Sequence, residues 1–230
     1  SAFLSQQHRW TRGLLQCAVK LMPRILFSKA PLSVKVEAWF HLTAPILYAV
    51  IFVLTALTIP ATFVAVPLSE LRGAPAWALG SAVLLGGTLA ASVFVLIAQR
   101  AAGQSLWRTL VRLPALMALG VGMSAVNTRA VLGALLGVRS RFVRTPKFGG
   151  RSDSEADPDA RRGLHGPPVG SVELMISGVL FACLFLGLSN DFALIGAPFL
   201  LLFAVGFLWV GGARFVESGY RVTVSTAVRF

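Results

Sequence analysis

The residues with the clearest chemical potential lie close to the start of the chain, at Gln6, Arg9 and Trp10. A spacing of three and four residues places all three on one face of a helix. The guanidinium of an arginine holds phosphate oxygens in a forked geometry, and the indole of a tryptophan offers a flat apolar surface to a sugar ring. The amide of a glutamine donates and accepts hydrogen bonds with hydroxyls. Together, these residue types are suited to binding a phosphorylated sugar.

The segment that must position these residues has the pattern of an amphipathic basic helix over residues 6–22. Its polar side carries Gln16, Lys20 and Arg24 at intervals of four residues, and Pro23 is expected to kink or end the helix. The apolar residues that follow helical spacing are Leu14, Leu15, Ala18, Val19, Met22, Ile25 and Leu26. Such a helix suits the cytoplasmic surface of a membrane, and simple membrane anchoring is the alternative role for it.

The composition of the 230 residues is that of a membrane protein, because 56% are hydrophobic, 13% are charged and the mean hydropathy is +0.75. Soluble domains carry about a quarter charged residues, so an ordinary soluble domain is excluded, as are disordered and collagen-like chains. A formal net charge of +12 indicates basic segments beside the apolar ones. The three histidines lie far apart in the sequence, so no metal site is predicted.

Four apolar runs predict membrane-spanning helices, since about 20 apolar residues cross the hydrocarbon core. These runs are Phe40–Ile59, Ala76–Ala98, Val172–Ser189 and Phe192–Gly212. A fifth run over residues 113–126 is shorter and contains Pro114, so we expect it to lie in the interface. In that arrangement Arg72 is the only one of the 21 lysines and arginines on the outer side, as the positive-inside bias favours.

The sequence therefore predicts an all-α membrane protein with four transmembrane helices, two cytoplasmic interface helices, a long cytoplasmic loop and both termini in the cytoplasm. The expected order is an interface helix in 1–38, a transmembrane hairpin in 39–98, a second interface helix region in 99–137, the loop in 138–171, a second transmembrane hairpin in 172–213 and a tail in 214–230. Because the chain begins at Ser1 in polar sequence, we expect it to be the C-terminal part of a longer protein.

The string QQHRW, which ends at Trp10, has the form Q-x-x-R-W. It resembles the motif of the membrane-embedded family 2 glycosyltransferases (cellulose, hyaluronan and chitin synthases) and is most similar to the mannan-synthase-like branch and its bacterial relatives. In that family an interface helix carries the motif, and two spans, a second interface helix, a gating loop and two further spans follow it. The resemblance implies that Gln6 and Arg9 orient the acceptor and the diphosphate. It also implies that Trp10 forms the floor of the acceptor site, and that 1–38 is the C-terminal edge of a catalytic domain.

A second motif lies in the string RFVRTPKFG at residues 141–149. It resembles the F-x-V-T gating loop of cellulose synthase, which closes over the nucleotide sugar. Phe142 and Thr145 match that motif, whereas Arg144 stands where the family has valine. Phe142 is expected to wedge the loop in place, Thr145 to hydrogen-bond the nucleotide, and Arg144 and Lys147 to meet its diphosphate. A basic loop attracted to anionic lipid is the alternative.

The resemblance also implies a catalytic domain that the given sequence does not contain. In the family an α/β catalytic domain precedes Q-x-x-R-W and supplies the carboxylates that bind nucleotide and metal and activate the acceptor hydroxyl. None of the nine acidic residues here forms a D-x-D beside the motif. We therefore assign no catalytic residue, metal ligand or cofactor to this chain and expect it to be inactive alone.

For the full-length protein, the resemblance implies an inverting enzyme that polymerises a β-linked polysaccharide and passes it through the membrane. Mg²⁺ or Mn²⁺ is expected as the metal, UDP-glucose or GDP-mannose as the donor, and a growing glycan as the acceptor. The expected setting is the lipid bilayer of a bacterial inner membrane, without a nucleic-acid partner. Candidates for the glycan channel entrance are Trp39, Phe40, His41, Tyr48 and Asn127, although interfacial aromatic residues commonly form a membrane belt instead.

Two alternatives remain open at the level of the sequence. The chain is also compatible with a non-enzymatic four-span protein such as a transporter subunit or scaffold, although its spans contain almost no ionisable residue for an ion pathway. Ceramide glucosyltransferases carry similar Q-x-x-R-W sequences, so addition of a single sugar to a lipid is the second alternative.

Overall fold

The computed structural model describes residues 2–68, 74–138, 170–187 and 193–227, and throughout these ranges the regular secondary structure is helical. The helices are α1 (Ala2–Leu26), α2 (Leu32–Thr43), α3 (Ile46–Leu68), α4 (Ala74–Ala101), α5 (Leu106–Gly122), α6 (Ser124–Leu135), α7 (Ser171–Gly187) and α8 (Ala193–Ala227). The predicted all-α fold is confirmed for this part of the chain.

One helix of the described residues is long and apolar enough by itself to cross a membrane, at Gly196–Ser218 within α8. Two bent pairs each qualify as a candidate when the pair is counted as one span: Leu32–Thr43 with Ile46–Pro60, bent by 53°, and Leu106–Gly122 with Ser124–Leu135, bent by 43°. The described chain thus has between one and three candidate spans by length and composition. The membrane character expected from the sequence is supported, and the four-span arrangement remains a prediction.

Unit 1, one of two compact units in the chain, comprises Ser1–Ala49, Val126–Ser171 and Gly211–Phe230. Its apolar core joins α1 to α6 through Leu15 and Ala18 on one helix and Val131 and Ala134 on the other. The partly buried residues that pack against this core are Leu42 and Ala49. A hydrogen bond of 3.3 Å from the Thr128 hydroxyl to the Tyr48 carbonyl also links α6 to the first turn of α3.

Unit 2 comprises Val50–Ala125 and Val172–Val210. Its buried core consists of Val121, Ala125, Leu180, Ala204 and Phe207. Two close contacts hold its helices together. The buried Ser177 hydroxyl of α7 donates to the Ala204 carbonyl of α8 at 2.8 Å, and Gly122 of α5 lies against Gly206 of α8 with no room for a side chain on either residue. Small residues at such crossings let helix backbones approach closely, as is common between helices in membranes.

Three prolines influence the helices in different ways. The predicted first span begins at Phe40, but the helix breaks between Thr43 and Ile46, where Pro45 has no N–H to continue the hydrogen-bond ladder. Pro23, in contrast, does not end α1, which continues to Leu26 because the Pro23 carbonyl still accepts the Phe27 N–H at 3.1 Å. Likewise, α3 continues through Pro60 to Leu68.

The crossing of α5 and α8 provides a test of this packing. Gly206→Ala is expected to lower the midpoint of thermal unfolding in detergent by several degrees. The added methyl group would overlap the Ala118 carbonyl, and overpacking costs about 1–3 kcal/mol. Gly196→Ala is the matched control in the same helix, because nothing lies within 4 Å of the position that its methyl group would take. Equal midpoints for the two variants would contradict the close crossing.

Candidate functional site

The candidate site is built on α1, whose buried face is formed by Thr11, Leu15, Ala18 and Met22. These residues recur every three or four positions and therefore lie on one side of the helix. The predicted apolar face is only partly confirmed, since Val19 and Leu26 of the expected set are exposed. The core of unit 1 covers only part of the apolar face of α1, so some apolar surface of this helix stays exposed beside its basic residues.

The structure keeps Gln6, Arg9 and Trp10 together on one face of α1, as their spacing predicts. Helical periodicity directs this face away from the side that buries Leu15 and Ala18. Trp10 is 62% exposed, whereas Gln6 and Arg9 are half-buried. An exposed indole beside an amide and a guanidinium can stack on a ring while the two polar groups hold its substituents.

Arg12, which the sequence analysis does not single out, fixes α1 to the end of α6. Its Nη2 donates to the Val138 carbonyl, and its guanidinium passes over Gly133. Val138 itself ends the helix, because its N–H bonds to the Gly133 carbonyl at 3.0 Å while Gly137 takes a φ of +66°. This is the Schellman arrangement, in which a glycine with positive φ closes the helix. A cation at this position is also favoured by the helix dipole.

His8 lies between two guanidiniums in the same unit. Burial lowers the pKa of His8 below its usual value of 6.5, and the positive charges of Arg12 and Arg214 lower it further. The imidazole is therefore neutral at pH 7 and adds a hydrogen-bonding group, without a further charge, to a basic neighbourhood. The spacing of His8 and Arg12 on one helix is visible in the sequence, but nothing in the sequence indicates that Arg214 of α8 joins them.

A second polar feature of unit 1 is Asn127, which is 1% exposed. The side chain of Tyr48 lies beside it. The Tyr48 hydroxyl is close enough to act as a hydrogen-bond partner of the Asn127 side chain, and no other group in the described ranges reaches hydrogen-bonding geometry with Oδ1 or Nδ2. Of the five residues suggested for a channel entrance, the structure thus brings Tyr48 and Asn127 together, and it leaves Trp39, Phe40 and His41 exposed on α2.

The predicted gating-loop residues Phe142, Arg144, Thr145 and Lys147 lie outside the described residues. Within the described ranges, no group of three or more His, Cys, Asp or Glu side chains is placed to hold a metal ion. The geometry that bears on function is therefore that of α1, its contact with the end of α6, and the Asn127 amide.

The position of His8 predicts a pH-dependent stability. Below pH 6.5 the unfolded chain takes up a proton that the folded chain resists, so the free energy of unfolding falls as the pH is lowered. His8→Gln is expected to lose less thermal stability than the unaltered chain between pH 7.5 and pH 5.5. His41→Gln changes an exposed histidine and is expected to keep the full loss. An identical loss in the His8 variant and the unaltered chain would contradict the half-buried position of His8 near Arg12 and Arg214.

Comparison of the chain with models of protein families, with curated proteins and with solved structures finds no match. The functional conclusion therefore rests on the residues, their geometry and the motif resemblance.

Proposed function

We propose that this chain is the membrane-embedded C-terminal part of a family 2 glycosyltransferase that extends a β-linked polysaccharide from a nucleotide sugar and passes it across the membrane. The observation that carries the proposal is the face of α1 formed by Gln6, Arg9 and Trp10, with its exposed indole. In this role Trp10 stacks on the sugar at the growing end of the glycan. Gln6 binds sugar hydroxyls, and Arg9 binds the diphosphate.

The charges around α1 support a role in binding a diphosphate. Arg9 and Arg12 lie on this helix, and Arg214 comes close enough to influence the His8 imidazole. Because His8 stays neutral there, the imidazole can accept or donate a hydrogen bond to a ligand without adding a positive charge. Guanidiniums bind phosphate oxygens in a forked geometry, so this neighbourhood suits a negatively charged ligand such as a diphosphate.

The distribution of basic residues supports the proposed membrane topology. Among the described residues, nine lysines and arginines belong to unit 1 and three, Arg100, Arg108 and Arg112, belong to unit 2. Unit 1 contains the N-terminal segment and, from Val126 onward, part of the central segment that the charge pattern assigns to the cytoplasm. In the proposed arrangement α3, α4, α7 and α8 are the four spans, and α1, α5 and α6 lie at the cytoplasmic interface.

The position of Asn127 supports a path for the glycan, whose sugars carry many hydroxyl groups. A buried amide without a hydrogen-bond partner costs about 1–3 kcal/mol, and among the described groups only the Tyr48 hydroxyl lies close enough to satisfy part of this one. An asparagine offers two donors and an acceptor, which match the hydroxyls of a sugar. The Tyr48 side chain beside it adds an aromatic surface and a hydroxyl to the same place.

Oligosaccharide binding tests the role of Trp10 directly. Calorimetric titration of the chain in nanodiscs with cellohexaose and with mannohexaose is expected to show binding of at least one of them. Trp10→Ala is expected to weaken that binding about tenfold, because loss of an aromatic stacking contact costs about 1.4 kcal/mol. Phe27→Ala is the matched control, since it removes an aromatic ring that is 91% exposed just beyond the end of α1. Equal affinities for the two variants, or no binding of either sugar, would count against the acceptor site.

The chain alone is expected to transfer no sugar. The proposed mechanism needs carboxylates that bind the metal-nucleotide and deprotonate the acceptor, and this chain lacks the family's arrangement of them. Incorporation of radiolabelled UDP-glucose and GDP-mannose into polymer is the measurement, and incorporation above empty membranes would overturn the expectation. The positive control is the product of the same gene extended upstream of the Ser1 codon. A gene that starts at that codon would favour the non-enzymatic alternative.

A further inference from the structure

The side chain of Arg12 leaves α1 at the edge of its packed side. The buried stripe of this helix runs through Thr11, Leu15 and Ala18, and Arg12 follows Thr11 by one residue, which is a rotation of about 100° around the helix axis. Trp10 precedes Arg12 by two residues, so its side chain leaves the helix on nearly the opposite side. A contact that holds Arg12 therefore also sets the direction in which Trp10 points.

The apolar packing of unit 1 does not by itself fix the rotation of α1. The core between α1 and α6 consists of aliphatic side chains, namely Leu15, Ala18, Val131 and Ala134. Burial of apolar surface is non-directional, so a limited rotation of α1 would keep most of this burial. A hydrogen bond requires alignment of its donor and acceptor, and the bond from Nη2 of Arg12 to the Val138 carbonyl supplies that alignment.

The C-terminal turn of α6 holds the acceptor of this hydrogen bond. Gly137 has a φ of +66°, and the Val138 N–H donates to the Gly133 carbonyl at 3.0 Å, so Val138 is fixed against the end of the helix. The guanidinium lies directly over Gly133, where an added methyl group would come within 3.7 Å of Nη1 of Arg12. Both partners of the bond therefore belong to a defined contact between α1 and α6.

We infer that Arg12 is a positioning residue for Trp10, because its hydrogen bond to the Val138 carbonyl fixes the rotation of α1 at which the indole faces the acceptor sugar. Arg12 leaves the helix on the other side, so it acts through Trp10 and not by contact with the sugar. The identity of the ligand rests on the proposed function, whereas the rotation of α1 is measurable without a ligand.

Distances between two spin labels report the rotation of α1. Cys17 is exposed and follows Trp10 by seven residues, which places both on the same side of the helix. Leu135→Cys supplies the second label at an exposed position of α6, while the native Cys183 is buried and stays unlabelled. In nanodiscs this otherwise unaltered chain is expected to give one narrow distance distribution. Arg12→Gln is expected to broaden the distribution, because the remaining apolar contacts allow several rotations.

A variant on the acceptor side breaks the same contact and keeps the arginine. Gly137→Ala strains the turn that holds Val138, since a side chain is disfavoured at a φ of +66°, and is expected to broaden the distribution as Arg12→Gln does. Gly103→Ala is the matched control, because Gly103 has a φ of +77° and, like Gly137, nothing within 4 Å of an added methyl group, but lies in unit 2.

Arg24→Gln is the control for charge, because it removes an exposed guanidinium from the same helix. Both control variants are expected to keep the narrow distribution. A narrow distribution in Arg12→Gln, or equal broadening in the controls, would overturn the inference.

Calorimetric titration with cellohexaose and mannohexaose at pH 7.5, where His8 is neutral, measures the consequence for binding. Arg12→Gln is expected to weaken binding about fivefold, the effect of losing one charge-assisted hydrogen bond at a partly exposed position. Arg12→Lys keeps a charged donor and is expected to weaken binding less.

A double-mutant cycle separates positioning of Trp10 from a general loss of structure. In the Trp10→Ala chain, Arg12→Gln is expected to cause less than about a twofold further loss of affinity, because its effect passes through the indole. The full loss in that background would overturn the link to Trp10. Absence of binding to either sugar in the unaltered chain would count against the proposed function alone, and the spin-label distances would still decide whether Arg12 orients α1.

Discussion

The hydrogen bond from Arg12 to the carbonyl of Val138 determines how the N-terminal helix presents its chemistry. Together with Leu15 and Ala18, which pack on Val131 and Ala134, it fixes one side of α1 against the end of α6. Rotation of α1 about its own axis would break this bond and expose the core of unit 1. The opposite side, with Trp10, is thereby held outward, so the orientation of the face formed by Gln6, Arg9 and Trp10 depends on a contact made by Arg12, a residue outside the motif.

The sequence predicts the helical fold and the face shared by Gln6, Arg9 and Trp10, because both follow from periodicity and from runs of apolar residues. Hydropathy does not predict the break before Ile46. The apolar run continues across Pro45, but the backbone hydrogen bonds of the helix are interrupted there because proline has no N–H. The proximity of Arg214 to His8 could not be predicted for a different reason. These residues lie near opposite ends of the chain, and a local sequence pattern does not indicate a contact between distant segments.

The arginines of the chain act in two different physical settings. Arg12 is half-buried, donates to a backbone carbonyl at a helix C-terminus, and lowers the pKa of a neighbouring imidazole. Arg100 lies exposed in the last turn of a largely apolar helix. The first setting gives a rigid guanidinium within a polar cluster, whereas the second gives a charge at the end of an apolar surface. Net charge alone does not separate these roles, which depend on what surrounds each guanidinium.

Asn127 is one of three described residues, with Arg12 and Ser124, whose buried polar side-chain atoms lack a hydrogen bond of good geometry. The Thr55 hydroxyl bonds to the Ile51 carbonyl one turn earlier, and the Ser177 hydroxyl bonds to Ala204 on a neighbouring helix, so both satisfy a buried oxygen with backbone. The Asn127 amide is as deeply buried but finds no such partner in the described part of the chain. A leucine at this position would avoid the desolvation cost. The Tyr48 hydroxyl lies close enough to satisfy part of this amide, so the two side chains form a polar pair between α3 and α6 within unit 1.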